Sequence, residues 1–264
     1  MGGEVFAVSV HEEFAQVARE DGRAALVTVV RGEHLGEKLL VRPDGTSEGT
    51  LGDPELDARG KADAEELMWK ESSEIRGDLF IDVTAPDPRI VIFGAVEYAQ
   101  HLSALARVCG WRPYVVDPRA RFATPERFPD ALGVVAAWPE EAFEQLGAPD
   151  KATYIVILTH DPKLDDATLL TVLASDVPYI GAMGSKRAQA DRRERLVAAG
   201  VSDEDQARIS APVGLDLGAT NARETALSIM AELAEVRHGR DGGRLCHTKG
   251  KGRIHADADA KAKA

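Results

Sequence analysis

The chain has 264 residues, 44% of them hydrophobic, which is apolar material for one large core or two modest ones. Its 44 acidic residues against 32 basic ones leave a formal charge of −12. A surface that negative repels phosphate backbones and anionic lipid, which argues against a general nucleic-acid or membrane binder.

Only two cysteines occur, Cys109 and Cys246, far apart and without metal-ligand spacing. That excludes a disulfide framework and a CxxC redox or zinc motif. The opening MGGEVFAVSVHEEF has no basic region and no long apolar run, so it does not read as a secretory signal. Gly2 matches a myristoylation site at that one position alone. No window approaches the ~18 uninterrupted apolar residues of a membrane span. The expectation is a reduced, cytoplasmic, acidic globular protein.

Taken in order, residues 10 to 21 carry Val10, Phe14, Val17 and Ala18 on one helical stripe. The β-branched run Ala24 to Val30, between Gly22 and Gly32, predicts a strand. A second strand covers Lys38 to Val41 and leads into a tight turn at Pro43-Asp44-Gly45. Gly49 to Pro54 reads as a loop, Ala62 to Ser72 as a polar helix and Phe80 to Thr84 as a strand. The segment Ala85 to Arg89 has linker composition, and the domain boundary is placed there, after residue 87.

After Pro88 the rhythm changes. Ile90 to Ala95 predicts a buried strand, Tyr98 to Cys109 a helix with Cys109 on its apolar stripe, and Pro113 to Val116 another strand. This is the period of a βαβ unit. Further elements follow: a strand at Tyr154 to Leu158, a helix from Asp166 to Ala174 and a short strand at Pro178 to Ile180. A charged helix spans Lys186 to Ala199, and a last helix is capped by Asn221, with Ala222, Ala226, Ile229, Met230 and Leu233 on its apolar stripe. Beyond His238 the composition predicts a loose tail, residues 239 to 264. The expected fold class is α/β, a small N-terminal mixed domain followed by a Rossmann-like doubly wound domain over 88 to 238.

A dinucleotide fold needs a glycine-rich turn from its first strand into its first helix, where backbone N–H groups meet a pyrophosphate. Ile90 to Ala99 occupies that place. Gly94 supplies the turn with Ala95, and Ala99 fits the close helix–strand packing position. The middle glycine is Val96, whose side chain holds the backbone away from a pyrophosphate, and Glu97 adds negative charge. Asp117 stands at the end of the next strand, the usual place of a ribose-binding acid. A bound nucleotide or pterin dinucleotide and a scaffold with a repurposed site are both compatible with this loop.

Thr159-His160-Asp161 ends a strand on the carboxyl edge where doubly wound sheets bind ligands. His160 with Asp161, Asp165 and Asp166 has the chemistry of a hard-cation or polar-ligand site. The competing reading makes Asp165 or Asp166 the cap of the following helix. Gly181, Gly184, Ser185, Lys186 and Arg187 form an anion site on a helix start, weighed against an ordinary solvated one. In the Pro212 to Gly218 turn, Asp216 is expected to hold the loop. Cys246-His247 reads as an incidental surface pair.

Several segments resemble the XdhC/CoxI family, proteins that assist xanthine dehydrogenase and carbon monoxide dehydrogenase. They are VIFGAVEYAQHLSALARVCGW, VVDPRARFATPERFPD, YIVILTHDPKLDDATLL, VPYIGAMGSKRAQADRRERL and APVGLDLGATNARETALSIMAELAEVR, in that order. AALVTVV, KLLVRPDG and EGTLG extend the likeness into the N-terminal third. Two departures stand out. The family's first fingerprint usually reads Gly-Ala-Gly-His, where this chain has Gly94-Ala95-Val96-Glu97. After Gly52 the family commonly continues with glycines and a cysteine, where this chain has Asp53-Pro54-Glu55-Leu56 and so lacks a sulfur ligand.

The resemblance implies transient binding of molybdenum cofactor and its delivery to a molybdenum hydroxylase of the xanthine or carbon monoxide dehydrogenase type. It also implies a non-catalytic chaperone rather than an enzyme, with a homodimer left open. The expected ligand-binding set is Gly94, Ala95, Asp117, His160, Gly184, Ser185 and Lys186, with no metal ligands of its own. Two rivals remain. One is an NAD(P)-dependent oxidoreductase, opposed by Val96; the other is a ligand-free scaffold that docks a dehydrogenase subunit.

Overall fold

A computed structural model describes residues 9–247. The expectations for the first eight residues, and for the tail from 248 onward, lie outside the described residues. Packing divides the chain after Asp87 into two compact units.

The first unit sandwiches an antiparallel sheet between two helices. Helix α1 (Val10–Arg19) starts from a capping box, in which the Ser9 side chain accepts from the Glu12 N–H and Glu12 reaches back to the Ser9 N–H. Strands β1 (Ala24–Val29), β2 (Lys38–Val41), β3 (Ser47–Thr50), β4 (Glu74–Arg76) and β5 (Leu79–Thr84) pair in the order β3-β2-β1-β5-β4. Alternation along β1 divides the core. Ala25, Val27 and Val29 pack with Ala64, Leu67 and Met68 of α2 (Pro54–Lys70), while Ala24 and Leu26 meet Phe14 of α1.

Helix α2 begins eight residues earlier than its polar composition predicts. Asp53 is its cap, accepting from the N–H groups of Glu55 and Leu56, and Pro54 occupies the first turn, where its missing donor costs nothing. The expected loop at Gly49 to Pro54 is therefore the end of β3 followed by a helix start.

The second unit is a six-stranded, all-parallel sheet in the order β11-β10-β9-β6-β7-β8. Its strands are β6 (Arg89–Phe93), β7 (Arg112–Val116), β8 (Gly133–Val135), β9 (Thr153–Ile157), β10 (Tyr179–Ala182) and β11 (Ile209–Ser210). The chain winds outward from β6 through β7 to β8, returns to β9 beside β6, and winds the other way. That is the doubly wound pattern, with its switch point between β6 and β9.

Successive residues feed opposite layers. Ile90, Ile92, Tyr154 and Val156 pack under α3 (Glu97–Val108) and α8 (Ala222–His238). Val91, Phe93, Ile155 and Ile157 pack under α4 (Pro139–Leu146), α5 (Pro162–Leu173) and α6 (Lys186–Ala198). A short α7 (Asp203–Ala207) precedes β11. Because both faces are covered, these strands read as unbroken apolar runs.

Candidate functional site

At the switch point β6 ends in Gly94, with φ +111°, a conformation L side chains rarely adopt. A Cβ at Gly94 would lie 3.0 Å from the Thr159 amide nitrogen, so the loops after β6 and β9 touch there and glycine is required. Helix α3 then starts at Glu97 from Val96, and no side chain caps it. Its first amides keep the positive end of the helix dipole without a side-chain acceptor. Val96 is half-buried and packs on the α3/α8 core, while the Glu97 carboxylate lies 3.7 Å from His101 Nε2, one turn along the helix.

Asp117 is fully buried at the end of β7, and its carboxylate is engaged by its own chain. Oδ2 accepts from the Ala95 N–H at 2.9 Å and Arg119 Nη2 at 2.7 Å; Oδ1 accepts from the Arg119 N–H at 3.0 Å and Nε at 2.8 Å. Burial pushes this carboxyl up, but the Arg119 fork and the backbone donors outweigh it and hold it below the usual carboxylate range. Of the predicted set, Ala95 and Asp117 therefore bind each other, and Asp117 pins the turn that Gly94 opens.

The other predicted residues lie on the neighbouring strand ends. His160 is exposed just past the end of β9. The chain after β10 stays paired to β9 through the Met183 N–H, which donates to the Ile157 carbonyl at 2.8 Å. Gly184 follows with φ +144°, Ser185 caps α6 by accepting from the Ala188 N–H, and Lys186 is exposed in the first turn. Gly94, His160, Gly184, Ser185 and Lys186 thus fall on the carboxyl ends of three adjacent strands, β6, β9 and β10.

Several acids and one thiol depart from expectation. Helix α5 begins at Pro162 and is capped by Asp161, which accepts from the Lys163 N–H at 3.0 Å. Asp165 and Asp166 cap nothing: they pair with Arg192 at 2.9 Å and with Arg195 across the α5–α6 contact. Among the described residues no group of three or more His, Cys, Asp and Glu could hold a metal. Glu232, not Asp216, holds the Pro212 to Gly218 turn, accepting from the Gly214 N–H and the Tyr179 hydroxyl. Cys109 is exposed at the C-cap of α3 instead of packed on its stripe, because the helix ends one residue before it. Arg119 and the Asp165–Arg192 pair went unnoticed in the sequence; an acid two residues before an arginine was the one available signal.

Residues 90–233 match the model of the XdhC Rossmann domain, and residues 17–76 match that of the XdhC and CoxI family. The chain belongs to the XdhC/CoxI family. Relatives include a protein of Bacillus subtilis named as a probable xanthine dehydrogenase subunit, 30% identical over 61% of this chain and 46% of that protein. The molybdenum cofactor insertion chaperone PaoD of Escherichia coli is 30% identical over 58% of this chain and 41% of its own length. The XdhC/CoxI chain thus spans under half of these curated relatives. A crystal structure of a xanthine dehydrogenase from Bacillus halodurans shares the fold, with a TM-score of 0.60 at 23% identity, over 86% of this chain and 66% of that one.

Both departures from the XdhC/CoxI pattern have structural content. Val96 fills the position before the α3 amides with a packed side chain. Asp53 occupies the loop where the family commonly carries a cysteine, and its carboxylate caps α2.

Proposed function

We propose that this chain binds molybdenum cofactor as cargo at the carboxyl edge of its Rossmann sheet and assists insertion into a molybdenum hydroxylase of the xanthine or carbon monoxide dehydrogenase type. The observation that carries the reading is the uncapped start of α3 beside Gly94, next to the strand ends that bear His160 and Gly184 to Lys186. Helix starts without a side-chain cap attract anions, and a pterin cofactor brings phosphate. Val96 keeps a pyrophosphate from close backbone approach, which disfavours NAD(P) as the ligand. The relative that carries the name of a molybdenum cofactor insertion chaperone supports the same class of cargo.

In this reading Gly94 and Ala95 shape the turn, and Asp117 holds it through the Ala95 N–H. His160 offers a polar contact to the cargo, and Ser185 with Lys186 receives an anionic group at α6. No chemical step is assigned to the chain; binding, orientation and release suffice for an insertion factor.

The test is the molybdenum and pterin content of the partner dehydrogenase purified from deletion and wild-type cells. The deletion should yield assembled enzyme with missing or inactive cofactor, and His160→Ala should reproduce part of that defect. A fully loaded, fully active partner from the deletion strain overturns the proposal.

A further inference from the structure

Asp117 has no acceptor capacity left for a ligand. It is 0% exposed, and an ionised carboxylate has about four lone-pair sites. Four donors fill them: the backbone N–H groups of Ala95 and Arg119, and Nε and Nη2 of the Arg119 side chain. In a nucleotide fold the acid at this strand end accepts from a ribose hydroxyl. Here that hydroxyl would find no acceptor.

The place presents a guanidinium instead. Nη2 and the Ala95 N–H meet on the same Asp117 oxygen, so Arg119 stands at the turn before the uncapped start of α3. Its side chain is 45% exposed, and among the described residues it donates to Asp117 alone, which leaves the Nη1 edge free. Glu97 faces His101 and Asp161 caps α5, so neither carboxylate takes that edge. The guanidinium is also held in place. Its fork on Asp117 is bidentate, and the centre of the Phe122 ring lies 4.8 Å from its central carbon. A loose surface arginine loses rotamer freedom on binding a ligand; this one has lost it in folding.

We propose that Arg119 is a specificity-determining residue of the switch-point site: it closes Asp117 to sugar hydroxyls and gives the end of β7 a preference for a phosphoryl group over an unmodified ribose. Removing the side chain deletes two of the four donors on Asp117 and uncovers two lone-pair sites, which is what the adjacent hydroxyls of a ribose need. The inference deepens the cargo reading. It rests on that reading for which ligand arrives, and on the Asp117 hydrogen bonds for which group is admitted.

The experiment is calorimetric titration of the full chain carrying Val96→Gly, which opens the turn to a pyrophosphate, with NAD+ and NADP+. The two probes differ only by a phosphoryl group on one ribose hydroxyl. The Val96→Gly chain should bind NADP+ about tenfold or more tighter than NAD+, the size expected of a charge-assisted hydrogen bond. Adding Arg119→Ala should raise the affinity for NAD+ about tenfold and remove the preference for NADP+. Arg119→Leu, which keeps a side chain against the Phe122 ring, serves as a second variant in case truncation loosens the turn. A gain of affinity does not come from a misfolded chain. Three results overturn the proposal: NAD+ bound as tightly as NADP+ before the change at Arg119, no gain for NAD+ after it in either variant, or no saturable binding of either probe in any of the three chains. No molybdenum enters, so failure here leaves the cofactor-content test of the cargo reading untouched, and a fully loaded partner in that test leaves this selectivity standing.

Discussion

Asp117 stands where a nucleotide fold keeps an acid for its ligand, and it uses both oxygens on Ala95 and Arg119. Its position was legible from strand spacing. Its engagement was not, because the Arg119 fork depends on a local turn that apolar periodicity does not encode. The folded carboxyl sits below its ordinary pKa, so its stabilisation is fully present above the unfolded value of ~3.9 and is lost as pH falls through the folded value. Asp117→Asn should cost about 1–3 kcal/mol near neutral pH, since a neutral amide cannot satisfy the same donors. The gap between wild type and variant should close below about pH 4. Urea unfolding across that range measures it, and a pH-independent gap would show that packing, not charge, holds the turn.

At the scale of elements, the apolar runs of β6 and β9 and the capped stripe of α8 were plain in the sequence. What escaped was short or polar: β3, β4, β8, α4, α7 and β11 carry too few apolar residues for either period to register. Helix α2 hid its first turns behind Gly60, a residue that lowers helix propensity but is buried against Leu51 and Val27, where a Cβ would lie 2.6 Å from the Leu51 side chain. Helices α5 and α6 meet through Asp165–Arg192, whose side chains are 7% and 5% exposed. A buried pair of this kind is costly to break and no better than apolar packing when replaced whole. Arg192→Ala should lose about 3–5 kcal/mol by stranding Asp165 and freeing the Met183 carbonyl. The double change Asp165→Leu with Arg192→Met should recover most of that loss. Chemical denaturation of the single and double variants decides the matter, and a double variant as unstable as the single would mean the charges themselves order the α5–α6 contact.

For the whole molecule, the α/β class was legible because apolar strand runs and helical stripes alternate at the βαβ period after Pro88, while the central strand of the first sheet, covered by a helix on each face, is also an apolar run. Each compact unit also closes its own hydrophobic core on two faces, with the core residues of the second unit drawn entirely from beyond Pro88. A fragment beginning at Pro88 retains every strand of the parallel sheet and both helical layers, so it should fold alone with one cooperative transition. The first unit is small, and units of under about 90 residues bury a lower fraction of their surface and sit nearer the stability threshold. Cut at the same point, it should unfold at lower denaturant and with a shallower slope, since the slope follows the surface exposed on unfolding. Far-ultraviolet circular dichroism of both fragments in urea, beside the full chain, supplies the comparison. Two fragment transitions of different slope are the expected result. A fragment from Pro88 that lacks a cooperative transition would mean that the parallel sheet, complete as its pairing is, draws stability from residues before the cut, and the division after Asp87 would then be geometric without being a folding boundary.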